Sequence, residues 1–171
     1  NFVDSSILPG MVQASEKVLI DSNIASYGFA MIANGLTPII SKHPLDKITD
    51  EWDIKIAPAG WAFSIWGIIY TMLGGFVYNQ NRNHAKMDAD VIYGQVGFMF
   101  SFNMIANALW LYLFSQDSAG FFALAMVDIV LMLISAISIL NISTHNHLNN
   151  WTENVFFRGG MSIYGGWLTT A

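Results

Sequence analysis

Residues 56–77 read IAPAGWAFSIWGIIYTMLGGFV, without a single charged side chain. Coiled into a helix, this stretch is long enough to cross a hydrocarbon core of about 30 Å. Two stripes are sorted along it. Gly60, Ser64, Gly67, Thr71 and Gly74 recur at steps of four and three, which lines them up on one side of a helix. Phe63, Trp66, Tyr70, Leu73 and Val77 follow the same steps on a neighbouring side. A simple anchor needs only apolar residues. Small residues beside aromatic ones predict a helix packed closely on other helices, with its rings aimed at a shared interior.

The rest of the chain repeats the rhythm. Its 171 residues are 54% apolar and only 11% charged, far below the roughly 25% typical of soluble chains. Apolar runs fall at about 18–40, 56–77, 91–114, 119–140 and 155–171, separated by polar loops. Such runs must be helical inside lipid, because nothing there but the chain itself can bond the backbone. They lack the alternation of barrel strands. The expectation is one all-α domain over 1–171, a polytopic membrane helical bundle of five transmembrane helices. The fifth is expected to be truncated, since 159–171 reaches only about 20 Å at 1.5 Å per residue. Lysine and arginine are nearly balanced between the two sets of loops, so orientation stays open.

Composition also excludes function classes. The formal charge is −5 and no basic run exists, which argues against a nucleic-acid partner. There is no cysteine, hence no disulfide, thiolate or iron–sulfur chemistry. The four histidines, at 43, 84, 145 and 147, fall in expected loops and form no metal-ligand set. No nucleophile–base pair or phosphate loop is present, so the chain is read as not an enzyme.

Three features could carry function. The aromatic stripe of residues 56–77 can wall a pocket for a flat apolar ligand or can simply pack. Asn103, Asn107, Trp110 and Phe114 share one face of the third run. Amides facing lipid would cost energy, so that face points inward, as a polar pocket lining or as interhelical glue. Asp128 stands mid-way along the fourth run, where a charged aspartate costs roughly 2.5–3.5 kcal/mol on insertion scales. It is expected to be neutral and bonded to Asn34, Asn103, Asn107 or an indole N–H, with Ser135 on the same face. It then serves as a ligand contact, a proton relay or a buried structural bond.

These residues resemble a family. The segment 58–70, PAGWAFSIWGIIY, is similar to the second-helix signature of the translocator protein / tryptophan-rich sensory protein (TspO/MBR) family. Asn107-Ala-Leu-Trp110 with Phe114 is similar to its third-helix pattern, and Tyr164, Trp167 and Ala171 to the start of its fifth. Two departures stand out. Phe63 and Trp66 are one residue closer than in the family, without the intervening proline, and Asn103 stands where glutamine is common. The resemblance implies five membrane helices and a pocket for a tetrapyrrole or sterol-like ligand. It places Trp66, Asn103, Asn107, Trp110, Trp167 and Ala171 in or at the border of that pocket, and Tyr70 and Asp128 join these candidate ligand-binding residues from the reading of the runs themselves. On this reading no cofactor is required, the bound molecule being a tetrapyrrole, sterol or lipid. The partners are membrane lipids, a hydrophobic small molecule, and a second copy or a larger membrane complex. The implied location is a mitochondrial membrane. Two other classes stand beside it: a structural transmembrane subunit of a large assembly, and a small-solute carrier built on Asp128.

Overall fold

The computed structural model describes residues 7–40, 62, 64–116, 118–146, 148 and 150–170, with side chains from residue 15 onward except 38 and 40. Pro58, Gly60, Trp61, Phe63 and Ala171 therefore lie outside the described residues. The architecture is all-α. Helix α1 spans Ile7–Ile40, α2 Ile65–Asn83, α3 Met99–Phe114, α4 Ala119–His145 and α5 Gly160–Leu168. A 3₁₀ turn, His84–Lys86, follows α2, and wider π-helical segments lead into α3 (Asp90–Val96) and α5 (Glu153–Gly159). The expected histidine loops need one correction. His145 ends α4, because the apolar run carries the helix on through Asn141 and Ser143.

Contacts close the helices into a ring in the order α1, α2, α5, α4, α3. Helix α1 runs unbroken past Asn34 and Gly35. Thr37 Oγ1 and Asn34 Nδ2 each bond a backbone carbonyl four residues back, at 2.7 and 2.8 Å. The entry to α3 does break, with a 61° bend between the π-helical segment and α3. Gly97 makes the corner at φ 51°, a conformation that side chains with a Cβ rarely adopt. Gly97→Ala should cost about 1–3 kcal/mol, read as a lower unfolding midpoint in detergent.

The interior is aromatic and sulfur-rich. Phe76, Phe100, Phe157, Met104, Met132, Met161 and Tyr164 are fully buried. Phe76 centres this cluster, with ring centroids 4.5 Å from Phe157 and 5.1 Å from Phe100. Close backbone approach occurs where α2 meets the last helix. A Cβ on Gly160 would stand 3.1 Å from Leu73 Cδ2 and 3.2 Å from Met72 Cβ, a tight fit that glycine relieves where these helices touch. The small stripe expected along α2 plays this role only at Gly74, packed under the Tyr27 hydroxyl. Ser64, Gly67 and Thr71 are exposed, and no described atom lies within 4 Å of a Cβ on Gly67. Helix α2 meets its neighbours through the Leu73 and Phe76 side, which turns those three residues outward.

Around this apolar core the bundle also buries several polar side chains and leaves a broad apolar exterior. Buried inside are Asn23, Gln80, Asn103, Asn107, Asp128 and Glu153. Exposed outside are Leu124, Val127, Val130, Ile134 and Ile137 on α4, with Phe98, Phe102, Ile105 and Tyr112 on or beside α3. Contiguous apolar surface on this scale is not left facing water. Among the described residues, α4 alone is long and apolar enough to cross a membrane, and the bent pair ending in α3 passes as a second span. Arg158, within the last apolar run, donates from Nη2 to the carbonyls of Ser143 and Asn146 at the end of α4. Its charge there meets the negative end of the helix dipole.

Candidate functional site

Of the candidate residues, Trp66, Asn107 and Trp167 gather with Tyr70 between α1, α2, α3 and α5. The Tyr70 hydroxyl lies 2.9 Å from Asn107 Oδ1 and 3.0 Å from Asn34 Oδ1, and its single proton serves one or the other. Asn34 Nδ2 reaches Asn107 Oδ1 at 3.3 Å. One phenol and two amides thus tie α1, α2 and α3 at one point. The sequence pointed to Asn107 and Tyr70. It offered Asn34 only as a partner for Asp128, not for these two.

The rings assemble above this knot. Trp66 stacks on Tyr70 with centroids 5.2 Å apart, one helical turn along α2. It also meets Tyr164 at 5.8 Å and Trp167 edge-on at 6.2 Å, both from α5. Helical spacing explains the first contact, and the close α2–α5 packing at Gly160 explains the other two. Replacing Tyr70 by phenylalanine keeps this stack and removes the shared proton. The two amides left behind should cost about 1–3 kcal/mol of stability, measured by thermal unfolding in detergent.

Asn103 and Trp110 face different partners. Asn103 Nδ2 donates to Ser135 Oγ at 2.5 Å and to the Met132 carbonyl at 3.0 Å, which fixes α3 against α4. Trp110 stacks on Phe114 at 5.2 Å, and Phe114 meets Phe122 at 5.4 Å. Because α3 and α4 run antiparallel, the Asn103–Ser135 pairing sets Trp110 at about the level of Asp128. The expected bonds of Asp128 to asparagine are corrected. Asn34 Nδ2 and Asn107 Oδ1 bond each other, Asn103 Nδ2 turns to Ser135 and Met132, and Asp128 Oδ2 is buried without a hydrogen-bond partner among the described residues. Trp110 Nε1, Asn107 Nδ2 and Asn103 Oδ1 are likewise unpartnered. Two donors and two acceptors on α3 and α4 thus stay in reserve among the described residues.

A second polar knot went unnoticed in the sequence. Asn23 Nδ2 donates to Gln80 Oε1 at 3.2 Å, and Ser101 Oγ donates to Asn23 Oδ1 at 2.6 Å. It joins the same three helices nearer the far end of α2. Gln80 lies beyond the apolar run 56–77, and nothing in the spacing shows that α2 continues inward to Asn83.

Comparison with known proteins now decides the family. The family described as TSPO-like protein matches residues 18–171, nearly the whole chain. The chain belongs to the TSPO-like family. No curated protein and no solved structure matches it. Membership accounts for the apolar exterior: a TSPO-like protein is a membrane protein, and exposed apolar faces such as those of α3 and α4 suit that setting. It also gives context to Trp66, Tyr70, Asn107, Trp110 and Trp167, all inside the matched region.

Proposed function

We propose that this TSPO-like chain is a multi-pass, non-enzymatic membrane protein that binds, and transfers or senses, a flat hydrophobic ligand of the porphyrin or sterol class. The observation that carries the reading is the pairing of a ring cluster, Trp66–Tyr70–Trp167, with buried polar atoms that lack partners. Rings offer broad apolar contact to a planar ligand, and a few unpartnered donors and acceptors orient its polar edge. Asn107 Nδ2 and Trp110 Nε1 would donate to a ligand carbonyl or carboxylate. Asp128 and Asn103 Oδ1 would accept from a ligand hydroxyl or pyrrole N–H. No chemical step is assigned to any of these groups. A mitochondrial membrane is the proposed location, by family resemblance. The test is titration of the detergent-purified chain with protoporphyrin, read by the ligand's own absorbance. Saturable one-to-one binding supports the reading, and a linear, non-saturating signal overturns it.

A further inference from the structure

Asp128 is only 6% exposed, and its Oδ2 has no partner among the described residues. Two buried donors on α3, Asn107 Nδ2 and Trp110 Nε1, are in the same condition. An unmet buried carboxyl weakens the fold that encloses it. Asp128 therefore adds nothing to the ligand-free bundle.

Two residues join these groups to the rings. Asn107 Oδ1 lies 2.9 Å from the Tyr70 hydroxyl, and Tyr70 carries the Trp66 ring, while the other end of the same amide is unpartnered. Tyr164 makes the second link. Its ring meets Trp66 at 5.8 Å and its hydroxyl donates to Met132 Sδ at 3.2 Å. Tyr70, Asn107 and Asp128 are its polar neighbours. Met132 follows Asp128 by about one helical turn on α4.

Few chemical groups meet this set. It asks for one proton, to satisfy Asp128, and for lone pairs, to satisfy the N–H groups of Asn107 and Trp110. A hydroxyl brings one O–H and two lone pairs. A ketone brings no proton. A carboxylate brings none either, and sets a second anion beside Asp128. An ammonium brings protons but no lone pair.

We propose that Asp128, Asn107 and Trp110 form a subsite for a single alcohol hydroxyl, and that the ligand is a sterol-type alcohol. Its O–H donates to Asp128, and its oxygen accepts from Asn107 and Trp110. Its flat body lies against the Trp66, Tyr70 and Trp167 rings. This rests on the ligand-binding reading above and decides between its two ligand classes. Asp128 is then a specificity residue, and the ligand-free bundle is weaker for having it.

Binding of tritiated cholesterol to the detergent-purified chain tests it, with unlabelled cholesterol and the corresponding ketone, cholestenone, as competitors. In the wild type the ketone should compete at least about tenfold more weakly, because a site built to bond an O–H rejects the analogue that lacks it. Asp128→Leu should erase that difference. Should Asp128→Leu not fold, Asp128→Asn gives a second measurement. Its amide is a weaker acceptor than a carboxylate, so the preference should shrink, and the ligand-free unfolding midpoint should not fall. Equal competition by the ketone in the wild type overturns the subsite, as does an undiminished preference in either variant. A lower midpoint for ligand-free Asp128→Asn makes Asp128 a structural bond and also ends the proposal. Saturable protoporphyrin binding without cholesterol binding overturns the subsite alone. Failure of both ligands to bind overturns the ligand-binding reading with it.

Discussion

Changing Trp66 and Trp110 together to alanine should weaken porphyrin binding by at least about tenfold while leaving the helical content unchanged. Tenfold corresponds to about 1.4 kcal/mol, and one good aromatic stacking contact supplies about 0.5–1.5 kcal/mol beyond its buried area. Two indoles on two helices exceed that threshold if both touch the ligand. Trp66 already stacks on Tyr70 and abuts Tyr164 and Trp167, so its removal also loosens the wall for the remaining rings. Fluorescence is the wrong readout for this variant, since it deletes the reporters. Ligand absorbance or calorimetry reads the affinity directly. Trp151→Ala is the control, because Trp151 is exposed and packs only near Phe156, away from the Tyr70 knot. If the double variant binds as tightly as the wild type, the ring cluster is packing and the pocket lies elsewhere. If Trp151→Ala weakens binding equally, the ligand is reporting a surface effect.

The fold class was readable because hydropathy and period are local properties. An apolar run of membrane length has few folded alternatives, and α4 grew directly out of one. The inward face of α3 was readable for the same reason: Asn103 and Asn107 sit four apart, and both are buried. Partnership is not local. The sequence offered Asp128 several amides, and the helix packing assigned those amides to Tyr70 and Ser135 instead. The small stripe was legible as a stripe, but not which of its members faces a neighbour. Gly160, in the last apolar run, supplies the close approach that Gly67 does not. The bend at Gly97 left no signal, because one glycine inside an apolar run reads the same in a straight helix. Glu153 Oε1 accepts the Asp88 backbone N–H at 2.8 Å, though the two lie 65 positions apart in loops that looked merely polar. Their meeting depends on the ring order of the helices, and no spacing rule contains that order.

The apolar exterior of the bundle makes a second large effect predictable, from a residue that no site uses. Val130 is 52% exposed on α4, between Leu124 and Ile137 on the outward face. On a soluble helix, Val130→Lys would be among the mildest of changes, within about 0.5 kcal/mol at a surface position. It would also improve local helix propensity. In lipid the same change places an ammonium near mid-helix, at about 2.5–3.5 kcal/mol on insertion scales, and forfeits the small favourable term of valine. The combined cost is about 3 kcal/mol, more than a hundredfold in the insertion equilibrium. The expected result is loss of α4 from the membrane fraction in a glycosylation-mapped insertion assay, with Ser138→Lys near the helix end costing less because its side chain can reach the interface. Asp128 sharpens the comparison. It lies two residues away and is tolerated because it is only 6% exposed and points into the bundle. Depth is nearly the same for both positions, so the difference between them is one of direction. Normal insertion of Val130→Lys would mean that the exposed apolar face of α4 meets something other than acyl chains.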